Sequence, residues 1–212
     1  MSAKPVIKNR LQQLEQLLEE RSEQLGQVQG QLLRAPTSDP LTGLSNVSRF
    51  LDFLALEWRR ARRERFEVSV IRIGIDHFGA YVERLGPEAG DECVRQVAGL
   101  LAPLVRRPGD LLARYLGADF VATLSRTPQA GAQHVADRLR AAVEGTAMPH
   151  PASPAGSFVT VTMGIATAAP TPSLAWEDLE ILAAAARALQ LARQTSRTHV
   201  AVTVTARSPA IR

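Results

Sequence analysis

Helical and strand-like segments alternate from residue 46 to residue 205, and at only one place do two strands follow one another directly. Helical spacing of apolar residues fits 46–65, 77–84, 88–105, 130–144 and 177–195. Strand patterns fit 68–75, 111–116, 119–125, 158–166 and 199–205, the first reading as a buried strand. Strands 111–116 and 119–125 flank a short turn and form the single hairpin. Every other strand is separated from the next by a helix that must lie over the sheet. That order predicts an α/β sandwich of the βααββαβ kind. A loop rich in Pro, Gly and Ser spans 149–157 and reads as a plain linker, and no internal repeat is visible.

Residues 7–32 carry a separate signal. Ile7, Leu11, Leu14, Leu18, Arg21, Leu25, Val28 and Leu32 recur by four and three, a heptad seam with one charged interruption. Glu and Gln fill most of the remaining positions, so the helix has no other surface on which to bury its stripe. Residues 1–36 are therefore expected to form a parallel coiled coil, making a homodimer through residues 7–32. Arg21 sets register or strand number, or snorkels outward, and Gly26 and Gly30 weaken the helix. The alternative is a helix packed on its own domain. The segment Ala35-Pro36-Thr37-Ser38-Asp39-Pro40 ends it with two prolines and capping residues. The domain is thus expected at 37–206, with a C-terminal tail at 207–212.

Composition narrows the function classes. The 212 residues are 45% apolar, enough for one domain with a real core plus an appendage, and too apolar for a disordered chain. No uninterrupted apolar run approaches the roughly 20 residues that cross a bilayer, and MSAKPVIKNR lacks the apolar stretch of a secretory signal. A cytoplasmic protein is expected. The lone Cys93 excludes an internal disulfide, and its setting among Val94, Val97 and Leu100 reads as a buried structural thiol. Net charge is +4, and all but Lys4 and Lys8 of the 25 basic residues are arginine. Arginine suits bidentate recognition of phosphate, but a coding preference gives the same count. The basic run from Trp58 to Arg65 lacks an aromatic stacking platform and reads as a solvated helix end, so neither nucleic acid nor membrane is expected as a partner. His134 and His199 lack companions at metal-ligand spacing.

Three segments, in order, resemble the GGDEF family of bacterial diguanylate cyclases, which condense two GTP into cyclic di-GMP. Asp39-Pro40-Leu41-Thr42-Gly43-Leu44-Ser45-Asn46 matches the opening DxLTGLxN. Gly74-Ile75-Asp76-His77-Phe78, followed by Gly86 and Gly90-Asp91, matches the DxDxFK segment and the glycine motifs after it. Arg114-Tyr115-Leu116-Gly117-Ala118-Asp119-Phe120 matches RYGGDEF. The strand Val159-Thr160-Val161-Thr162-Met163-Gly164, and a closing helix with Ala188, Leu189, Ala192, Arg193 and Arg197, add support. The resemblance implies a nucleotidyl-cyclase-like βααββαβ sandwich with a central antiparallel sheet.

It also implies a vestigial active site. Joining two nucleoside triphosphates needs divalent cations held by carboxylate oxygens. In the family these come from the first Asp of DxDxFK and the fourth residue of the signature; here those positions are Gly74 and the shorter Asp119, and the usually acidic third position is Ala118. The phosphate-contacting Lys is Gly79, the guanine-reading Asn is Val82, Pro87 replaces a His, and Leu116 replaces the turn's first glycine. Asp76, Asp91, Gly117, Arg193 and Arg197 remain as remnants. No catalysis, no magnesium and no other cofactor are expected, and Asp76 with His77 lacks a third metal ligand.

One family site is retained. Arg107-Pro108-Gly109-Asp110, with five residues between Asp110 and Leu116, has the position of the family's RxxD inhibitory site, which binds cyclic di-GMP. Arg supplies a fork of donors to a guanine edge or phosphate, and Asp accepts from guanine N–H groups. Arg138 is the best candidate for the second arginine of that site, with Arg140 and Arg106 behind it. The chain is thus expected to be a catalytically inactive GGDEF domain acting as a cyclic di-GMP receptor. The alternatives are a nucleotide-independent dimerisation or protein-docking module, and a residual cyclase or GTP-sensing domain.

Overall fold

The computed structural model of the chain describes residues 36–154, 156–170, 178–195 and 199–204. The expected coiled coil at 7–32, the tail at 207–212 and Arg197 lie outside the described residues. The chain divides into two compact units between Pro36 and Thr37.

Within the second unit, helix α1 (Val47–Glu64) begins where the Asn46 side chain accepts from the Arg49 N–H at 3.0 Å. Side-chain capping of this kind satisfies a backbone donor that the helix leaves open. It is followed by β1 (Val68–Ile75), α2 (Phe78–Leu85), α3 (Pro87–Leu101) and a 3₁₀ turn (Ala102–Leu104). The hairpin β2 (Leu111–Leu116) and β3 (Asp119–Ser125) leads to α4 (Gln129–Glu144), β4 (Val161–Ala168), α5 (Asp178–Gln194) and β5 (His199–Val204). The strands form one sheet in the order β2-β3-β1-β4-β5, antiparallel except for the parallel pair β4–β5.

Strand β1 is buried along its whole length because helices cover both faces of the sheet. Ile71, Ile73 and Ile75 face a core with Val94 and Val97 of α3 and Ala132 and Leu139 of α4. Val70 faces the opposite core with Phe50, Leu54 and Trp58 of α1 and Ile181 and Ala185 of α5. The two-residue period of a strand sends alternate side chains into these two cores. Gly164 of β4 brings α5 onto the sheet, since a Cβ there would overlap the backbone of Ala185 and Leu189. Cys93 is buried in the first core, and burial pushes its thiol up to about 11.

Three expectations need correction. The helix expected to reach 105 stops at Leu101, because Pro103 has no N–H with which to continue the ladder, and the chain tightens into the 3₁₀ turn. The strand expected at 158–166 runs over Val161–Ala168 instead; Phe158 is exposed and makes only an isolated bridge with Pro149. The 149–157 loop is not a plain linker, for its His150 is buried and stands edge-on to Tyr81 at 5.0 Å. Among the described residues, no helix is long and apolar enough to cross a membrane.

Candidate functional site

The opening segment clamps the signature hairpin. Asp39 accepts from the Thr42 backbone N–H at 2.9 Å and its hydroxyl at 2.8 Å, and pairs with Arg114 at 3.2 Å. Arg114 in turn donates from Nε to the Gly117 carbonyl at 2.8 Å, fixing the turn it precedes. Burial pushes the Asp39 carboxyl up, but the Thr42 hydrogen bonds and the Arg114 charge outweigh it and hold the group below the usual carboxylate range. At the turn the register shifts between Arg114 and Leu116, leaving the Leu116 side chain exposed and Ala118 buried.

A cleft of about 670 Å³ opens beside this hairpin, lined among others by Asp76, His77, Gly79, Ala118, Asp119 and Arg193. Asp76 is turned towards β4's approach, its Oδ2 accepting from the Thr160 hydroxyl at 2.7 Å. The Asp119 carboxylate is held from two sides: Oδ2 accepts from Arg72 Nη2 at 3.1 Å, and Oδ1 faces Arg193 Nη2 at 3.7 Å. Arg72, buried in β1, sits over the Tyr115 ring with its guanidinium carbon 3.7 Å from the centroid. The space next to Gly74 is filled as well: a Cβ there would overlap Arg193 Nη2 and lie 2.9 Å from its Cζ.

A divalent cation of the kind the fold family uses does not fit these residues. The side chain that would supply one carboxylate is missing at Gly74, and the other position of the pair, Asp119, already faces two guanidinium groups. Among the described residues no group of three or more His, Cys, Asp or Glu could hold a metal ion. Of the expected remnants, Asp76, Ala118, Asp119 and Arg193 meet at the cleft with Gly74 behind them and Gly117 in the adjoining turn; Asp91 is exposed on α3 and does not line it. Arg72 was not foreseen. The signal was there, a single charged residue inside an otherwise apolar buried strand.

On another part of the domain, Arg107 and Asp110 form one turn, closed by the Asp110 N–H donating to the Arg107 carbonyl at 2.9 Å. Gly109 sits at φ +93° within it, a conformation that side chains other than glycine rarely adopt. Arg107 is exposed. Asp110 is half-buried, with Oδ1 accepting from the Ser125 backbone N–H at 3.0 Å. Burial pushes its carboxyl up, and the nearby Glu57 adds to this; the Ser125 N–H and the Arg107 charge oppose them without cancelling them. Glu57, buried on α1, accepts from the Ser125 hydroxyl at 2.7 Å and pairs with Arg60 at 3.5 Å. Arg60, which sequence reasoning did not single out, is thus linked to this turn only through Glu57 and Ser125, and its Nε also pairs with Glu64 at 3.3 Å. Arg138 is exposed on α4, and among the described residues no ion pair joins it to Asp110; Arg140 is engaged by Glu144 at 2.9 Å.

Residues 37–199 match the family model described as the GGDEF domain of diguanylate cyclases. The chain belongs to the GGDEF diguanylate cyclase domain family. Among its relatives, the probable diguanylate cyclase DgcT of Escherichia coli is 30% identical over 164 residues, 77% of this chain and 35% of that protein. This GGDEF chain spans about a third or less of the length of the curated relatives it matches first. Among solved structures, the coiled coil and GGDEF domain of DgcB from Caulobacter crescentus, in complex with c-di-GMP, superposes with a TM-score of 0.68 at 23% identity, covering 93% of this chain and 99% of that one. Diguanylate cyclase SiaD of Pseudomonas aeruginosa, in complex with its activator SiaC, gives 0.67 at 23% identity over 95% of this chain and 75% of that one. At these identities the likeness establishes the fold.

Proposed function

We propose that this GGDEF domain is catalytically inactive and serves as a cyclic di-GMP receptor through the Arg107–Asp110 turn, coupled to a coiled coil at 7–32. The observation that carries the reading is the contrast between the two sites. At the cleft, residue 74 has no side chain and the Asp119 carboxylate is already neutralised by guanidinium groups. At the turn, the Ser125 N–H fixes the Asp110 carboxylate through one oxygen and leaves the other to accept from guanine N–H groups, while exposed Arg107 offers its fork of donors. A side chain held in place before the ligand arrives loses less entropy on binding. Arg138, exposed on α4, is the further arginine of the site in this reading. The DgcB structure, which contains c-di-GMP, supports the choice of ligand class.

Calorimetry with cyclic di-GMP on the full chain and on Arg107→Ala tests the receptor role. Wild type is expected to bind, and Arg107→Ala to bind at least about tenfold more weakly, as loss of a charge-assisted pair costs about 1.5–3 kcal/mol. Equal heats from both proteins would remove the turn as the site. Incubation with GTP and Mg²⁺ or Mn²⁺, read by chromatography, is expected to give no cyclic dinucleotide, and a clear product peak would restore the enzyme reading. A protein-docking role is the second reading, supported by the SiaD–SiaC complex among the structural neighbours.

A further inference from the structure

We infer that the Arg193 guanidinium is the resident cation of the cleft: it fills the space that Gly74 leaves, neutralises Asp119 together with Arg72, and competes with any divalent metal ion for a carboxylate placed there. The inference deepens the reading of the cleft as non-catalytic and rests on it. Its basis is geometric. The position of a Cβ on residue 74 coincides with Arg193 Nη2, so a side chain at 74 and the present place of this guanidinium are mutually exclusive. The two Asp119 oxygens face one guanidinium each, Arg72 at 3.1 Å and Arg193 at 3.7 Å. Magnesium or manganese requires several oxygen ligands at close range, and here the Asp119 carboxylate already lies between two guanidinium groups.

The two arginines are not equivalent. Arg72 is buried in β1 and stacked on Tyr115, so it cannot leave. Arg193 lies near the end of α5, and 42% of its side-chain surface is exposed, so it can swing into solvent. Arg193 is therefore the charge that a metal ion must displace. Loss of the first carboxylate and capture of the cleft by Arg193 are one structural change seen from two sides: the missing side chain makes the room, and the guanidinium supplies the positive charge that Asp119 needs.

The contest between Arg193 and a metal can be read directly. The full chain, Arg193→Met, Gly74→Asp and the double variant Gly74→Asp/Arg193→Met are titrated with Mn²⁺, and free Mn²⁺ is followed by electron paramagnetic resonance, with circular dichroism checking the fold. Wild type and Arg193→Met are expected to take up no Mn²⁺ that Asp119→Asn abolishes. The double variant is expected to bind the ion, and Gly74→Asp alone at least about tenfold more weakly, because there Arg193 still competes for the two carboxylates. Equal affinities in the single and double variants, or no uptake by the double variant, would overturn the inference while leaving the non-catalytic reading intact. Asp119-dependent uptake by wild type would overturn both. Should the residue 74 variants lose their fold, Ala118→Asp, alone and with Arg193→Met, places the added carboxylate on the hairpin and poses the same contest.

Discussion

The two aspartates that anchor the two sites are displaced in opposite directions from the usual carboxylate range, and each predicts a distinct pH behaviour. Asp39 is held below the usual range by Thr42 and Arg114. Its contribution to stability is therefore present above the unfolded carboxylate range and is lost as pH falls through its lowered folded value. Asp39→Asn is expected to cost about 1–2 kcal/mol at neutral pH, with the difference from wild type shrinking in strong acid; denaturant melts at several pH values check this. Asp110 is pushed up by burial, so its contribution is present below the unfolded range and declines as pH rises through the raised folded value. Asp110→Asn keeps an oxygen for the Ser125 N–H and removes the charge facing Glu57. It is expected to leave stability at neutral pH unchanged or slightly raised while weakening cyclic di-GMP, and parallel melts and calorimetry separate the two effects. Little of this residue-level pairing was legible in the sequence. Motif spacing marked Asp119, Arg193, Arg107 and Asp110, but which side chain fills the space beside Gly74, and that Glu57 of α1 backs the turn through Ser125, depend on contacts between elements far apart in the chain.

At the scale of elements, the sequence was far more informative, because periodicity is a local property. Val68–Ile75 announced a strand covered on both faces by its largely apolar character, broken only by Ser69 and Arg72, and Ala132, Ala136, Leu139 and Val143 spaced α4 correctly. The misplacements arose where local pattern met a tertiary constraint: the apolar Phe158 and Val159 extend the β4 pattern backwards, yet the chain there is tied to 148–149 instead of the sheet. The packing of α5 on β4 shows what a pattern cannot show. Its stripe of alanines permits close approach, and Gly164 completes it, with the helix backbone where a Cβ would stand. Neither backbone can yield easily, so Gly164→Ala is expected to destabilise the domain by about 1–3 kcal/mol, and Gly164→Val by more. Shift of α5 would also move Arg193 away from Asp119. A denaturation midpoint unchanged by Gly164→Ala would mean that α5 is free to lift from the sheet.

At the scale of the whole molecule, both faces of the sheet are covered by the domain's own helices, so its two cores need no second chain to be complete. A dimer would then be held by something outside these cores, and the sequence offers the heptad pattern at 7–32 as a seam for it. The cut that tests this belongs before Thr37, whose carbonyl accepts from the Asn46 N–H at 3.0 Å and so helps seat the start of α1. A chain beginning at Thr37 is expected to scatter light as a monomer while the full chain scatters as a dimer, with the same circular dichroism per residue for the domain. If both have the mass of a dimer, the seam is not the interface. If both are monomeric, the Arg21 and glycine interruptions outweigh the leucines, and a ligand bound at the Arg107–Asp110 turn would have no paired stalk through which to act.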